Sequence, residues 1–200
     1  MLKNVIFDIG NVLMKFDALN YGAVYFQDKE KAKLLQNAID SFHLWDKCDM
    51  GDRDVEEIIE EFAASVVGHE AMAREAAYAS LDYVLYADYA IPWIKELQKA
   101  GYKVYFLSNY NKFLAEKRPD ILDFIPYMDG GVFSYDVHLL KPNREIYEVL
   151  LNKYSLDPQE CVFLDDRVAN IQGAEQLGIK GIIVKNYDQA RQDLKKLLNY

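Results

Sequence analysis

The chain is short of several residue types that carry familiar chemistry. Its two cysteines, Cys48 and Cys161, stand in unlike contexts and form no CxxC pair. They read as free thiols in a reducing compartment, and Cys161, within CVFL, as a small core residue. The histidines His43, His69 and His138 are scattered without metal-ligand spacing. No Walker or dinucleotide glycine motif is present. Positive charge is scarce as well: 23 Lys and Arg against 32 Asp and Glu leave a net charge of −9, which argues against non-specific binding to nucleic acid or an anionic membrane. No apolar run reaches transmembrane length. The apolar stretch around Val5 is broken by Asp8 and lacks a small-residue cleavage site, so no signal peptide is expected and the cytoplasm is the expected location.

What the sequence does contain is apolar and patterned. Half of its 200 residues are hydrophobic, with many Tyr and Phe, enough for one compact core with a small inserted lid. Four short runs, Asn4–Phe7, Lys103–Leu107, Cys161–Leu164 and Gly181–Val184, are rich in β-branched or aromatic residues and do not alternate. That pattern suits parallel strands buried on both faces; Gly131–Ser134 is a weaker fifth candidate. Helical spacing lies between them at Ala90–Ala100, Asn143–Tyr154 and Ala169–Leu177, the first and last stopped by Gly101 and Gly178. The alternation predicts an α/β fold, a doubly wound, Rossmann-like parallel sheet. From about Asp17 to Tyr86 the pattern is helical without a convincing strand, strongest at Glu56–Val67 and Glu70–Ala79. The expected organisation is a catalytic core of residues 1–16 and 87–200, with a small all-helical cap, residues 17–86, inserted after the first strand.

In a doubly wound sheet, ligands bind beyond the carboxyl ends of the strands. At those ends the sequence places Asp8, then Ser108-Asn109, then Asp165-Asp166, and Lys141 precedes the Asn143 helix. Taken singly, each is ordinary turn chemistry. Together they form a set with one chemical sense. Carboxylates at adjacent strand ends can hold Mg²⁺, a hard cation that prefers oxygen. One carboxylate can instead attack phosphorus. Lysine neutralises phosphate charge, and a serine hydroxyl with backbone N–H groups can hold phosphoryl oxygens.

The segments resemble the four motifs of the haloacid dehalogenase-like hydrolase superfamily. VIFDIGNVL matches the first motif, VYFLSN the second, Lys141-Pro142 the third and VFLDDRVAN the fourth. The form FD-x-GNV is similar to a branch of bacterial sugar-phosphate phosphatases that includes α-glucose-1-phosphate phosphatase. WDKCDMGD (Trp45–Asp52) resembles the aromatic-acid-x-Gly element in the caps of that branch. The resemblance implies that Asp8 is the nucleophile and also binds Mg²⁺. It implies the backbone carbonyl of Gly10 and the Asp166 carboxylate as further metal ligands, with Asp165 close by. Ser108 and Lys141 would hold the transferring phosphate, helped by Asn109 and the Asn11 amide, with Asn170 supporting the loop. From the cap, Asp49 and Trp45 are the candidate substrate contacts; Trp45 reads equally as packing.

One position departs from the pattern. Most phosphatases of the superfamily read Asp-x-Asp, the second Asp protonating the leaving oxygen, and here that residue is Gly10. Such positioned acid–base help is typically worth about 10²–10⁴ in rate. Either a cap residue such as Asp49 or His43 supplies the proton, or the leaving group needs little help, or the protein is a slow or inactive relative. The expected function is a Mg²⁺-dependent phosphatase acting on a small phosphorylated metabolite, a sugar phosphate. It would work through an aspartyl-phosphate, with no nucleic-acid or membrane partner. The alternatives are a metal-independent 2-haloacid dehalogenase and a non-catalytic binding protein on a degenerate site.

Overall fold

A computed structural model describes residues 1–16 and 28–198 of the chain. Five parallel strands make the central sheet: β1 (Asn4–Phe7), β4 (Lys103–Ser108), β5 (Gly130–Phe133), β6 (Cys161–Asp165) and β7 (Lys180–Ile183), in the order β5-β4-β1-β6-β7. Chain order reverses direction at β1. One half of the sheet grows away from it through β4 and β5, the other through β6 and β7, so the end of β1 lies at the topological switch point where such sheets bind ligands.

The lack of alternation in the strand sequences has a direct cause. All four residues of β1 are buried, with Val5 and Phe7 in the core on one face of the sheet and Ile6 in the core on the other. The first core includes Trp93, Ile94 and Leu97 of α5 (Ala90–Lys99) and Leu194 of α10 (Tyr187–Leu198). The second includes Ile146 and Leu150 of α8 (Arg144–Tyr154) and Ile171 and Ala174 of α9 (Val168–Glu175). A strand covered by helices on both sides gains from apolar residues at every position. Cys161 is buried in this sheet, as expected for a small core residue.

Helices α1 (Lys29–Phe42), α2 (Leu44–Met50), α3 (Val55–Ser65) and α4 (Glu70–Ala79) gather around an apolar cluster of their own, including Leu35, Leu44, Ile58, Phe62 and Ala76. Asp28 and Asp54 cap α1 and α3 by accepting hydrogen bonds from the first-turn N–H groups. Residues 17–27, with which the expected helical stretch begins, lie outside the described residues. At its far end the structure corrects that expectation. Val84–Tyr86 is a strand, β3, paired antiparallel with β2 (Met14–Phe16). A three-residue strand with one buried and two exposed residues is too short to leave a periodic signature. The β2–β3 ribbon therefore frames the chain's departure from the sheet region and its return.

A close approach ties the sheet to the site. A Cβ added at Gly173 in α9 would lie 2.7 Å from the Pro142 carbonyl oxygen and 3.1 Å from the Tyr147 hydroxyl. Gly173→Ala should therefore push the loop carrying Lys141 away from α9. We expect a loss of about 1–3 kcal/mol, typical of overpacking, read as a lowered midpoint in urea unfolding. An unchanged midpoint would mean that the loop yields freely.

Candidate active site

Strand register assembles the site. Phe7 pairs with Leu164, so the next residues, Asp8 and Asp165, emerge side by side, and the Asp8 N–H donates to the Leu164 carbonyl at 2.8 Å. Ser108 closes β4 on the other side, and its hydroxyl donates to Asp8 Oδ1 at 2.8 Å. The Ile9 N–H reaches the same oxygen at 2.7 Å and Lys141 Nζ at 2.9 Å. All three donate to Oδ1 and none of them to Oδ2, so one oxygen of Asp8 is fixed in place.

Lys141 is the hub. Its ammonium is 1% exposed and lies 2.7 Å from Asp165 Oδ2. Asn109 fastens its backbone from both sides: the Asn109 side-chain oxygen accepts the Lys141 N–H at 2.8 Å, and the Asn109 amide donates to the Lys141 carbonyl at 3.0 Å. Asp165, wholly buried, also accepts the Arg167 N–H at 2.8 Å and the Asn170 amide at 3.0 Å. Asp166 is different: it is partly exposed, and its Oδ2 accepts the Asn11 amide at 3.0 Å. Asn11 sits in the left-handed region, φ 55°, which asparagine tolerates better than most residues. Its side-chain oxygen in turn accepts the Phe16 N–H at 3.3 Å.

Ligand atoms of Asp8, Asp165 and Asp166 all lie within 4.8 Å of one another. Three carboxylates against one ammonium leave an excess of two negative charges in a largely buried space. The donor set is all oxygen and its charge deficit is that of a dication, so these residues fit a hard divalent cation. Burial raises the Asp8 carboxyl to about 7, Lys141 opposing and the Asp165 carboxylate adding to the rise. For Lys141, burial pulls the ammonium down, but Asp8 and Asp165 outweigh it and the net direction is upward.

Beside this cluster opens a cleft of about 280 Å³, lined by Asn11, Phe16, Trp45, Asp49, Asn109 and Asn111 among others. Trp45 and Asp49 come from α2, and Asn11, Phe16, Asn109 and Asn111 from the sheet side of the molecule. Asp49 is bound to that side twice. Its carbonyl accepts the Ser134 hydroxyl at 2.6 Å, and its carboxylate accepts the Asn111 amide at 3.3 Å. Gly51, two residues on, has φ 69° and lies against Tyr135 so closely that a Cβ would meet the Tyr135 backbone. That contact explains the glycine of WDKCDMGD. His43 lies elsewhere: its side chain is 71% exposed and sits 3.5 Å from Asp46, outside the cleft lining. Sequence reasoning missed Ser134 and Asn111. Ser134 follows the weakest strand, where the same strand-end inspection would have found it. Asn111 reads locally as a helix cap, and it does cap α6 (Lys112–Lys117) by accepting the Leu114 N–H at 2.7 Å.

A family model described as haloacid dehalogenase-like hydrolase matches residues 2–178. The chain belongs to that family and is a hydrolase. It is 27% identical over 213 residues, covering all of both chains, to a D-ribitol-5-phosphate phosphatase from Bacteroides thetaiotaomicron. Among solved structures, a predicted hydrolase of this family from Porphyromonas gingivalis superposes with a TM-score of 0.78 at 21% identity, over 100% of this chain and 99% of that one. An enzyme of the family from B. thetaiotaomicron, in complex with magnesium and inorganic phosphate, gives a TM-score of 0.68 at 24% identity, over 92% of this chain and 95% of that one. These two likenesses establish the fold.

Asp8 and Asp49 both titrate higher in the folded chain than the ordinary carboxyl value of 3.8, at about 7. The folded state thus binds more protons than the unfolded chain between those values, and stability must fall as pH rises through that window. In EDTA, the melting temperature should drop between pH 5 and pH 7.5. A saturating divalent cation should restore about 2.7 kcal/mol at a hundred times its Kd, more at high pH because its ligands must be deprotonated. A melting temperature that rises with pH in EDTA would contradict the charge balance described.

Proposed function

We propose that this hydrolase is a Mg²⁺-dependent phosphatase of small phosphorylated metabolites, with a sugar or polyol phosphate as substrate, working through an aspartyl-phosphate on Asp8. The observation that carries the reading is the asymmetry at Asp8. Three donors hold Oδ1, leaving Oδ2 for in-line attack on phosphorus, and an uncompensated excess of negative charge surrounds it. Nucleophile and substrate are both anionic, and Lys141 offsets their repulsion. Asp8 takes the phosphoryl group, the alcohol departs, and water hydrolyses the acyl phosphate to regenerate the carboxylate.

Asp8, Asp166 and the Gly10 carbonyl would hold Mg²⁺, which when bound supplies charge neutralisation on the phosphoryl oxygens. Asp165, with both oxygens engaged by Lys141, Asn170 and the Arg167 N–H, orients the lysine. Residues 17–86 act as the cap: Trp45 and Asp49 line the cleft opposite the strand ends and would exclude bulk water and select the leaving group. The substrate class draws support from the full-length relative that acts on D-ribitol 5-phosphate. A metal-independent 2-haloacid dehalogenase fits less well, because its carboxylate substrate would add charge to a site already short of cations.

The test is phosphate release over ribitol 5-phosphate, glucose 1-phosphate, glucose 6-phosphate and other metabolites, with Mg²⁺ and with EDTA. Release is expected only with Mg²⁺, and Asp8→Asn should abolish it while the chain still unfolds in one cooperative transition. Asp166→Ala should raise the Mg²⁺ concentration needed for half-activation more than Asn170→Ala does. Halide release from 2-haloacids in EDTA would overturn the reading in favour of the dehalogenase, and full activity of Asp8→Asn would remove its nucleophile.

A further inference from the structure

A phosphatase must also deliver a proton to the oxygen that leaves, and Gly10 cannot. The fold does not demand that glycine. Among the described residues nothing lies within 4 Å of a Cβ built there, and its φ is outside the left-handed range. The missing carboxylate is therefore a chemical fact rather than a packing one.

We propose that Asp49, reaching the cleft from the end of α2, is the general acid for the leaving oxygen and the general base for the hydrolytic water. The inference rests on the phosphatase reading above. Asp49 is the one carboxyl lining the 280 Å³ cleft, among the described residues. Its backbone is pinned by Ser134, whose hydroxyl is fully buried and also accepts the Tyr110 N–H at 2.9 Å. Its carboxylate is aimed by Asn111, itself locked as a helix cap. His43, the other donor considered from the sequence, faces solvent. Tyr110, the other titratable residue of the lining, has its hydroxyl against the Met14 sulfur at 3.9 Å and is pushed far upward by burial. The charges facing Asp49 agree with an acid that keeps its proton near neutrality. Burial raises it most, the Asn111 hydrogen bond opposes, Asp46 on its own helix and Asp8 across the cleft add, and Lys141 opposes, leaving it at about 7.

In the first step an Asp8 oxygen forms a bond to phosphorus while the bond to the leaving oxygen breaks. The electron pair stays on that oxygen, which takes the Asp49 proton and departs as the alcohol. Asp49 is left as a carboxylate. In the second step it removes a proton from water as the water oxygen bonds to phosphorus. The bond to Asp8 breaks, its electrons return to the carboxylate, and hydrogen phosphate leaves. Both residues end as they began.

The experiment measures kcat/KM with Mg²⁺ for wild type and Asp49→Asn on phosphate monoesters of graded leaving-group pKa, from p-nitrophenyl to alkyl. This constant reports the steps up to the phosphoenzyme and is blind to its later hydrolysis. Asp49→Asn should cost about 10²-fold or more on alkyl esters and little on p-nitrophenyl phosphate, so that the plot against leaving-group pKa steepens. Should Asp49→Asn fail to fold, Asp49→Ser gives the same comparison. An unchanged slope, or a uniform loss across the series, overturns the proposal and leaves the phosphatase standing. Absence of Mg²⁺-dependent release by wild type, or full activity in Asp8→Asn, would instead remove the phosphatase reading and this proposal with it.

Discussion

Lys141 buried between Asp8 and Asp165 is the interaction on which the rest of the site depends. An ammonium taken out of water is tolerable only when its charge is met at close range, and here two carboxylates lie within 3 Å. Asp8 and Asp165 in turn meet the same cation, each at ion-pair distance from the Lys141 ammonium. The arrangement is mutual, and each member is held by further hydrogen bonds from Ser108, Asn109, Asn170 and the Arg167 N–H. Such a cluster does little for stability compared with apolar packing of the same volume. Its return is a rigid, pre-oriented set of charges whose residual imbalance favours a cation and a phosphoryl group.

The sheet supplies this rigidity cheaply. Register alone brings Asp8, Asp165 and Ser108 together, because consecutive strand ends in a parallel sheet point the same way. Geometry set at the ends of buried strands is held more precisely than geometry set on a loop. The loop carrying Lys141 is not part of the sheet. It is held instead by the Asn109 clamp and by the close contact of α9 with Pro142.

The helical layer is bound to the sheet region at one end of α2. The Ser134 hydroxyl bonds the Asp49 carbonyl, the His138 ring lies 3.1 Å from the Met50 carbonyl, and Gly51 packs on Tyr135. The floor of the cleft and the wall carrying Asp49 are consequently joined. The cleft presents aromatic and apolar side chains from Phe16, Trp45 and Val84 together with the amides of Asn109 and Asn111. That mixture suits a molecule with both a carbon face and hydroxyl groups.

Much of this was legible in the chain itself. Non-alternating apolar runs revealed the buried parallel strands because burial on both faces removes the need for polar positions. The polar residues just after those runs revealed Asp8, Ser108, Asp165 and Asp166 because a strand end is where an apolar pattern must give way to solvent or to chemistry. Local sequence could not reveal contacts made across long separations. The β2–β3 ribbon escaped notice because three residues carry no period. The choice between Asp49 and His43 was likewise invisible, since both follow plausible helical patterns in one segment. Only tertiary packing, through Ser134, Asn111 and Tyr135 far along the chain, put one of them in the cleft and left the other in water. Sequence determined which residues could carry charge at the strand ends. The fold decided which carboxyl faces them, because direction in space is set by partners that sequence proximity does not name.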